Sequence, residues 1–167
     1  HNTSTAFFHS PSLEYICTFC CFLSGVNFTL LYAAVIKFKI KELFRNSEFR
    51  FYIFLVTVFS IFIMVELIVM RNYDIEHAFR SAIFQVVSFI TTTGLFNDDA
   101  ALWPHVTWVV LSMCIFIGAC SGSTSGGLKC IRGVILLRMV KNEFRQILHP
   151  NAVLPLKIDG VNVPMPK

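Results

Sequence analysis

The chain has 167 residues, of which 55% are hydrophobic and 14% charged, with a formal charge of +4 and a mean hydropathy of +0.66. Soluble domains carry nearer a quarter charged residues, so the composition argues against an ordinary water-soluble fold and for membrane residence. The small positive excess is dispersed among apolar residues and gives no support for nucleic-acid binding.

Residues 1–11 are polar and turn-forming, and Ser12 to Ile36 is then almost uninterrupted apolar sequence, long enough to span a bilayer. Lys37–Arg50 is a short basic connector, and Phe51–Met70 is a second expected span with Glu66 near its far end. Glu76–Ile90 has apolar positions at helical spacing but reaches only about 22 Å at 1.5 Å per residue, so it must re-enter the membrane or lie on it. It runs into Thr91-Thr92-Thr93-Gly94-Leu95. Leu102–Ile117 is again apolar, with Trp103 and Trp108 placed as interfacial anchors. A Gly/Ser-rich break, Gly118 to Lys129, interrupts it before helical periodicity resumes over Leu128–Val140. Asn142–Leu148 is basic and helix-like, and the tail beyond it is rich in Pro and Gly with no closing element. The start at His1 and the open tail read as an internal piece of a longer protein.

Lys37, Lys39, Lys41, Arg45 and Arg50 crowd the connector, and seven basic residues follow from Lys129 onward, whereas only Arg71 and Arg80 lie between. The positive-inside rule therefore puts connector and tail in the cytoplasm. Asp74, Glu76, Asp98 and Asp99 fall outside with the Thr-Gly loop, where an acidic mouth would concentrate cations, or where acids simply solvate loops.

Two stretches carry the chemistry. Ahead of Thr91, the short helix ends with unpaired carbonyls and the negative end of its dipole facing the loop. A glycine at 94 permits backbone angles that keep successive carbonyls aimed one way, as in the carbonyl rings that replace the hydration shell of potassium. The second stretch holds Gly122, Ser123, Thr124, Ser125, Gly126 and Gly127. Its Gly spacing matches a phosphate loop, but Leu128 stands where the lysine belongs and an apolar span precedes it. A small-residue helix-packing face is the alternative. The favoured expectation is an unwound segment, because so many Gly and Ser/Thr residues weaken a helix.

Elsewhere structural roles are expected. Asn27 would pack and hydrogen-bond between helices in preference to lining a pore, Glu66 would snorkel or pair with Arg71 or Arg80, and the six cysteines would fill apolar helices. His77, His105 and His149 lack partners at metal-ligand spacing, and no nucleophile–base set falls on one side of the membrane. The expectation is an ion transporter or channel rather than an enzyme, with a non-conducting structural segment of another polytopic protein as the alternative.

Ser88-Phe-Ile-Thr-Thr-Thr-Gly-Leu95, Leu102-Trp-Pro104, Gly118 to Lys129 and Leu148-His-Pro-Asn-Ala-Val153 together resemble the Trk/Ktr potassium-transporter family, in particular its Trk-type membrane subunits. The resemblance covers essentially the whole chain. It implies an all-α polytopic membrane protein built of span–re-entrant pore helix–span repeats of potassium-channel type, with a broken final helix in the third repeat. Residues 1–36 would then be the post-filter segment and closing transmembrane helix of repeat two, 37–50 the cytoplasmic connector, 51–140 the complete third repeat, and 141–167 a tail leading to a further repeat. Carried over by position, Thr92, Thr93 and Gly94 would offer backbone oxygens to potassium, with Thr91 and Leu95 as filter flanks, and Gly122 to Gly127 would form a gate. The family usually has Phe where this chain has Leu95, which implies altered packing behind the filter. Implied with these are potassium as the transported ligand without a covalent cofactor, the remaining repeats of the same chain, a homodimer, a cytosolic nucleotide-binding regulatory subunit, and the bacterial cytoplasmic membrane.

Overall fold

The computed structural model describes residues 5, 10–38, 40–98, 103–148, 156–158 and 161–163. Lys39, Asp99, Leu102 and the His149–Val153 part of the tail motif lie outside the described residues, as does most of the 1–9 segment. Seven helices are described: α1 Pro11–Ser24, α2 Phe28–Val35, α3 Ile40–Arg45, α4 Ser47–Arg71, α5 Ile75–Ile90, α6 His105–Ile117 and α7 Cys130–Leu148. The tail adds a hairpin of β1, Leu156–Ile158, and β2, Val161–Val163, paired antiparallel with Leu156 opposite Val163. The composition of the tail, rich in Pro and Gly, did not suggest this pairing.

The central helix is α4. Asn46 caps it by accepting from the backbone N–H groups of Glu48 and Phe49, and Asn72 in left-handed conformation ends it. Its 25 residues make it the described helix that alone is long and apolar enough to cross a membrane. Tyr52, Leu55, Val56, Ile63 and Leu67 line its buried face, and α5 lies against that face with Ala78, Ala82, Val86, Val87 and Ile90. The core is therefore the α4–α5 seam, closed by α1 and α6 on the other sides of α5. At 16 residues α5 is about 24 Å long, a half-length helix buried within protein, as expected of a re-entrant element.

The single span expected over Ser12–Ile36 is instead a pair, α1 and α2, bent by 108° at Gly25–Asn27. Two local causes act together. A side chain at Gly25 would sit 2.5 Å from the Tyr52 hydroxyl and 2.8 Å from Thr91 Cγ2, so only glycine fits where α1 meets α4 and the Thr-Gly loop. Asn27 then restarts the helix by capping, its Oδ1 accepting from Thr29 N at 2.9 Å. Asn27 is thus an N-cap, and its side-chain amide also packs against Gly122 of the Gly/Ser-rich break.

Trp103 and Trp108, expected as interfacial anchors, both make contacts inside the protein. Trp103 is buried, and Trp108 packs edge-on to Phe89 at 6.2 Å, with Phe96 within 6.5 Å of it. These rings form a wall behind the end of α5. Glu66 pairs with neither Arg71 nor Arg80; it accepts from Thr107 Oγ1 of α6 at 2.7 Å.

Candidate functional site

The end of α5 is tightly tied. Thr91 N bonds to Val87 O, Thr92 N to Phe89 O, and Thr93 N to Ser88 O, at 3.0, 3.0 and 2.8 Å. The Thr91 hydroxyl bonds back to Val87 O at 2.7 Å and meets the Thr93 hydroxyl at 2.8 Å. Ser88 Oγ reaches forward to the Leu95 carbonyl at 2.8 Å, so the flank of the loop is bound to the helix that precedes it. Among the described residues, the carbonyls of Thr92, Thr93 and Gly94 accept no hydrogen bond, and these three residues are exposed whereas Thr91 is buried. Free carbonyls beyond a helix C-terminus form an electronegative patch suited to a cation.

Backbone angles at the loop depart from the expectation in one respect. Gly94 is left-handed, at φ +75, but so is Thr92, at φ +55. A β-branched residue rarely adopts that region, and strain of this sort is held only where surrounding contacts over-determine it. The holding contact comes from the second stretch: Gly126 N donates to Thr92 Oγ1 at 2.9 Å.

That second stretch is unwound from Gly118 to Lys129, ending α6 and preceding α7. Its polar side chains satisfy freed backbone groups. Ala119 N donates to Ser125 Oγ, Ser123 Oγ to Cys120 O, and the Lys129 ammonium to the Ser125 and Ser123 carbonyls. The excursion closes on itself, because Leu128 N reaches Phe116 O and Cys130 N reaches Ala119 O, both at 2.9 Å. Gly127 makes this possible: a side chain there would lie 2.7 Å from Ile115 O and 2.8 Å from Gly118 Cα. The α1–α2 bend clasps the same segment, with Cys120 N bonded to Gly25 O at 3.0 Å and Phe28 N to Gly122 O at 3.2 Å. The loop at the end of α5, Thr91 to Leu95, and the unwound segment, Gly118 to Lys129, are therefore brought to one place and touch directly through Gly126 and Thr92.

Two buried polar groups escaped the sequence analysis. On α4, the Glu48 carboxylate accepts from Ser121 N, from Ser121 Oγ at 2.9 Å and from Ile131 N at 3.2 Å. Its position inside a basic connector disguised it as a solvated charge. On the other side of α5, Arg80 makes an ion contact of 3.1 Å with Glu14 of α1 and a hydrogen bond of 3.2 Å with Glu76. Asn97, just past the Thr-Gly loop, donates to Glu14 at 3.0 Å and to Ser81 at 3.3 Å. The lone acid of an apolar run, Glu14, was the available signal. Of the acids expected at an outer mouth, Glu76 is engaged by Arg80 and Tyr15, and Asp98 by Tyr73. The six cysteines are free thiols, and no group of metal-ligating side chains occurs among the described residues.

A buried half-length helix ending in a loop of free carbonyls, backed by a membrane-length helix and faced by a helix unwound at small residues, has the arrangement of a re-entrant-loop membrane protein. Comparison with known proteins narrows this. The family model for TrkH, described as a cation transport protein, matches residues 1–165. The chain belongs to this family of transporters, which are not enzymes. It is 34% identical over 164 residues to the Trk system potassium uptake protein TrkH of Halomonas elongata, covering 98% of this chain and 34% of that protein. It is equally 34% identical over 160 residues to the Trk system potassium uptake protein TrkG of Escherichia coli, covering 96% of this chain and 33% of that one. The crystal structure of the potassium transporter TrkH from Vibrio parahaemolyticus superposes with a TM-score of 0.88 at 34% identity, over 96% of this chain and 35% of that chain. The chain thus spans about a third of the length of the relatives it matches.

Proposed function

We propose that the full protein carrying this chain takes up potassium across the bacterial cytoplasmic membrane, and that this chain supplies one of four filter segments together with the intramembrane gate. Residues 51–140 form the complete repeat, and 1–36 close the repeat before it. The carbonyls of Thr92, Thr93 and Gly94 replace water around a dehydrated potassium ion, while Thr91 and Leu95 hold the loop to α5. Carbonyl ligation needs no covalent chemistry; the negative end of α5 adds to the attraction. One segment cannot close a ring, so conduction requires the remaining repeats. Gly122 to Gly127 obstruct the path from below and move aside when it opens. A homodimeric assembly and a cytosolic, nucleotide-binding regulatory subunit on the basic cytoplasmic face complete the reading.

The observation that carries it is the row of unbonded, exposed carbonyls at the C-terminal end of a buried half-length helix. Rubidium uptake by the full-length protein in a bacterium lacking potassium transporters tests it. Uptake that Gly94→Ser impairs at equal membrane expression is the expected result. No uptake from well-expressed protein, even with a regulatory subunit supplied, would favour a non-conducting segment.

A further inference from the structure

Glu48 is 3% exposed, yet it sits in the first turn of α4, only three residues after the short helix α3 of the connector. Its carboxylate grips both ends of the unwound segment at once. Oε1 accepts from Ser121 N at the entry and from Ile131 N at the first turn of α7, and Oε2 accepts from the Ser121 hydroxyl. Hydrogen bonds to a charged acceptor are roughly twice as strong as neutral ones, and a buried carboxylate stripped of donors is costly. The adjacent Ser47 accepts a hydrogen bond from Arg138 of α7 at 2.8 Å. The N-terminus of α4 therefore ties together the entry of the segment, its exit and the third turn of α7.

We propose that Glu48 is the latch of the gate: its carboxylate positions Ser121 and Ile131 so that residues 122–127 stay under the Thr-Gly loop, and opening requires those bonds to break. This rests on the gate reading above. Because Ser47 and Glu48 hold α7 from neighbouring positions on α4, through Arg138 and Ile131, a pull on the cytoplasmic half of α7 loads the latch before it reaches the loop. Glu48 is a positioning residue; it lies at the segment's ends and makes no contact with the carbonyls of Thr92–Gly94 among the described hydrogen bonds.

The test is rubidium influx into cells expressing the full-length protein without its regulatory subunit, comparing E48A, E48Q, S121A and a deletion of Gly122–Gly127. E48A removes all the bonds and is expected to raise maximal flux about tenfold or more, a factor corresponding to ~1.4 kcal/mol. E48Q keeps an acceptor for the two backbone donors, so it should stay within about twofold of wild type. S121A removes only the hydroxyl donor and should fall between. The rubidium concentration for half-maximal uptake and the preference for potassium over sodium should not change, whereas a merely damaged fold would lower flux and disturb both. If E48A does not accumulate in the membrane, the ordering S121A above E48Q decides the matter. If the deletion raises flux while E48A and S121A do not, the latch is wrong and the gate stands. If the deletion leaves flux unchanged, the gate reading itself fails and the latch with it.

Discussion

Thr92, in left-handed conformation at the end of the half-length helix, receives a hydrogen bond from the backbone of Gly126 at 2.9 Å, across 34 residues of sequence. The proposed filter and the proposed gate thus share a bond, and the side chain that makes it belongs to the residue with the strained backbone. Replacing Thr92 with Val keeps the shape and removes the acceptor. The expected result is a rise in basal rubidium flux of about fivefold, matching about 1 kcal/mol for one neutral hydrogen bond. Thr92→Ser, which keeps the oxygen, should stay near wild type. Equal flux for Val and Ser variants would mean the bond does not hold the segment in place.

At Gly94 the argument is conformational. No atom lies within 4 Å of where its side chain would start, so bulk is not the obstacle, but φ of +75 is. A side chain there costs roughly 1–2 kcal/mol in the left-handed region, and the loop can shed that strain by turning its carbonyls. Gly94→Ser should therefore reduce potassium uptake several-fold or admit sodium without lowering the amount of folded protein. Competition of sodium with rubidium uptake reads this directly.

Gly126 and Gly127 are neighbours with opposite tolerance. A methyl at Gly126 would make ordinary contact with Thr92 Cγ2 at 3.5 Å, whereas one at Gly127 would meet backbone at 2.7 Å and in a left-handed conformation. Gly126→Ala should fold and transport like wild type. Gly127→Ala should lose about 2–5 kcal/mol from overpacking and strain together. Thermal denaturation in detergent separates the two; similar midpoints would refute the close approach.

Removing one partner of a buried ion pair leaves an uncompensated charge, typically at a cost of about 3–5 kcal/mol. Glu14→Ala should therefore destabilise strongly and free Asn97, which both the pair and the loop's exit depend on. Combining it with Arg80→Met should recover much of the loss. A double-mutant cycle on thermal stability checks this, and simple additivity would show that Arg80 relies on Glu76 alone.

The elements read from periodicity stand within a few residues of where they were expected. The re-entrant helix was expected from Glu76 and begins at Ile75; the break expected from Gly118 begins there. Both signals are local: apolar spacing over four turns in one case, a cluster of helix-weakening residues in the other. The bend at Gly25–Asn27 was illegible because its causes are distant. Tyr52, Thr91, Cys120 and Gly122 meet there only in the folded chain, and a lone glycine in an apolar run does not announce them. Glu48 was hidden for the same reason. Its burial depends on donors more than seventy residues away, and it stands in sequence among Arg45, Asn46, Ser47 and Arg50. Trp103 and Trp108 stood in an interfacial pattern by position; the burial of Trp103 and the ring contacts of Trp108 with Phe89 and Phe96 involve residues that only folding brings together.

The pressing together of Gly118 and Gly127 has a consequence for how such a chain could arise or be re-engineered. Phe116 and Leu128 are already joined by a backbone hydrogen bond, so the ten residues between Ile117 and Leu128 leave and return through a single narrow neck. The excursion is a cassette. Longer, shorter or differently charged versions spliced in at that neck would leave the contact between the stems in place, so the segment can be varied while the hydrogen bond that joins its two ends is kept.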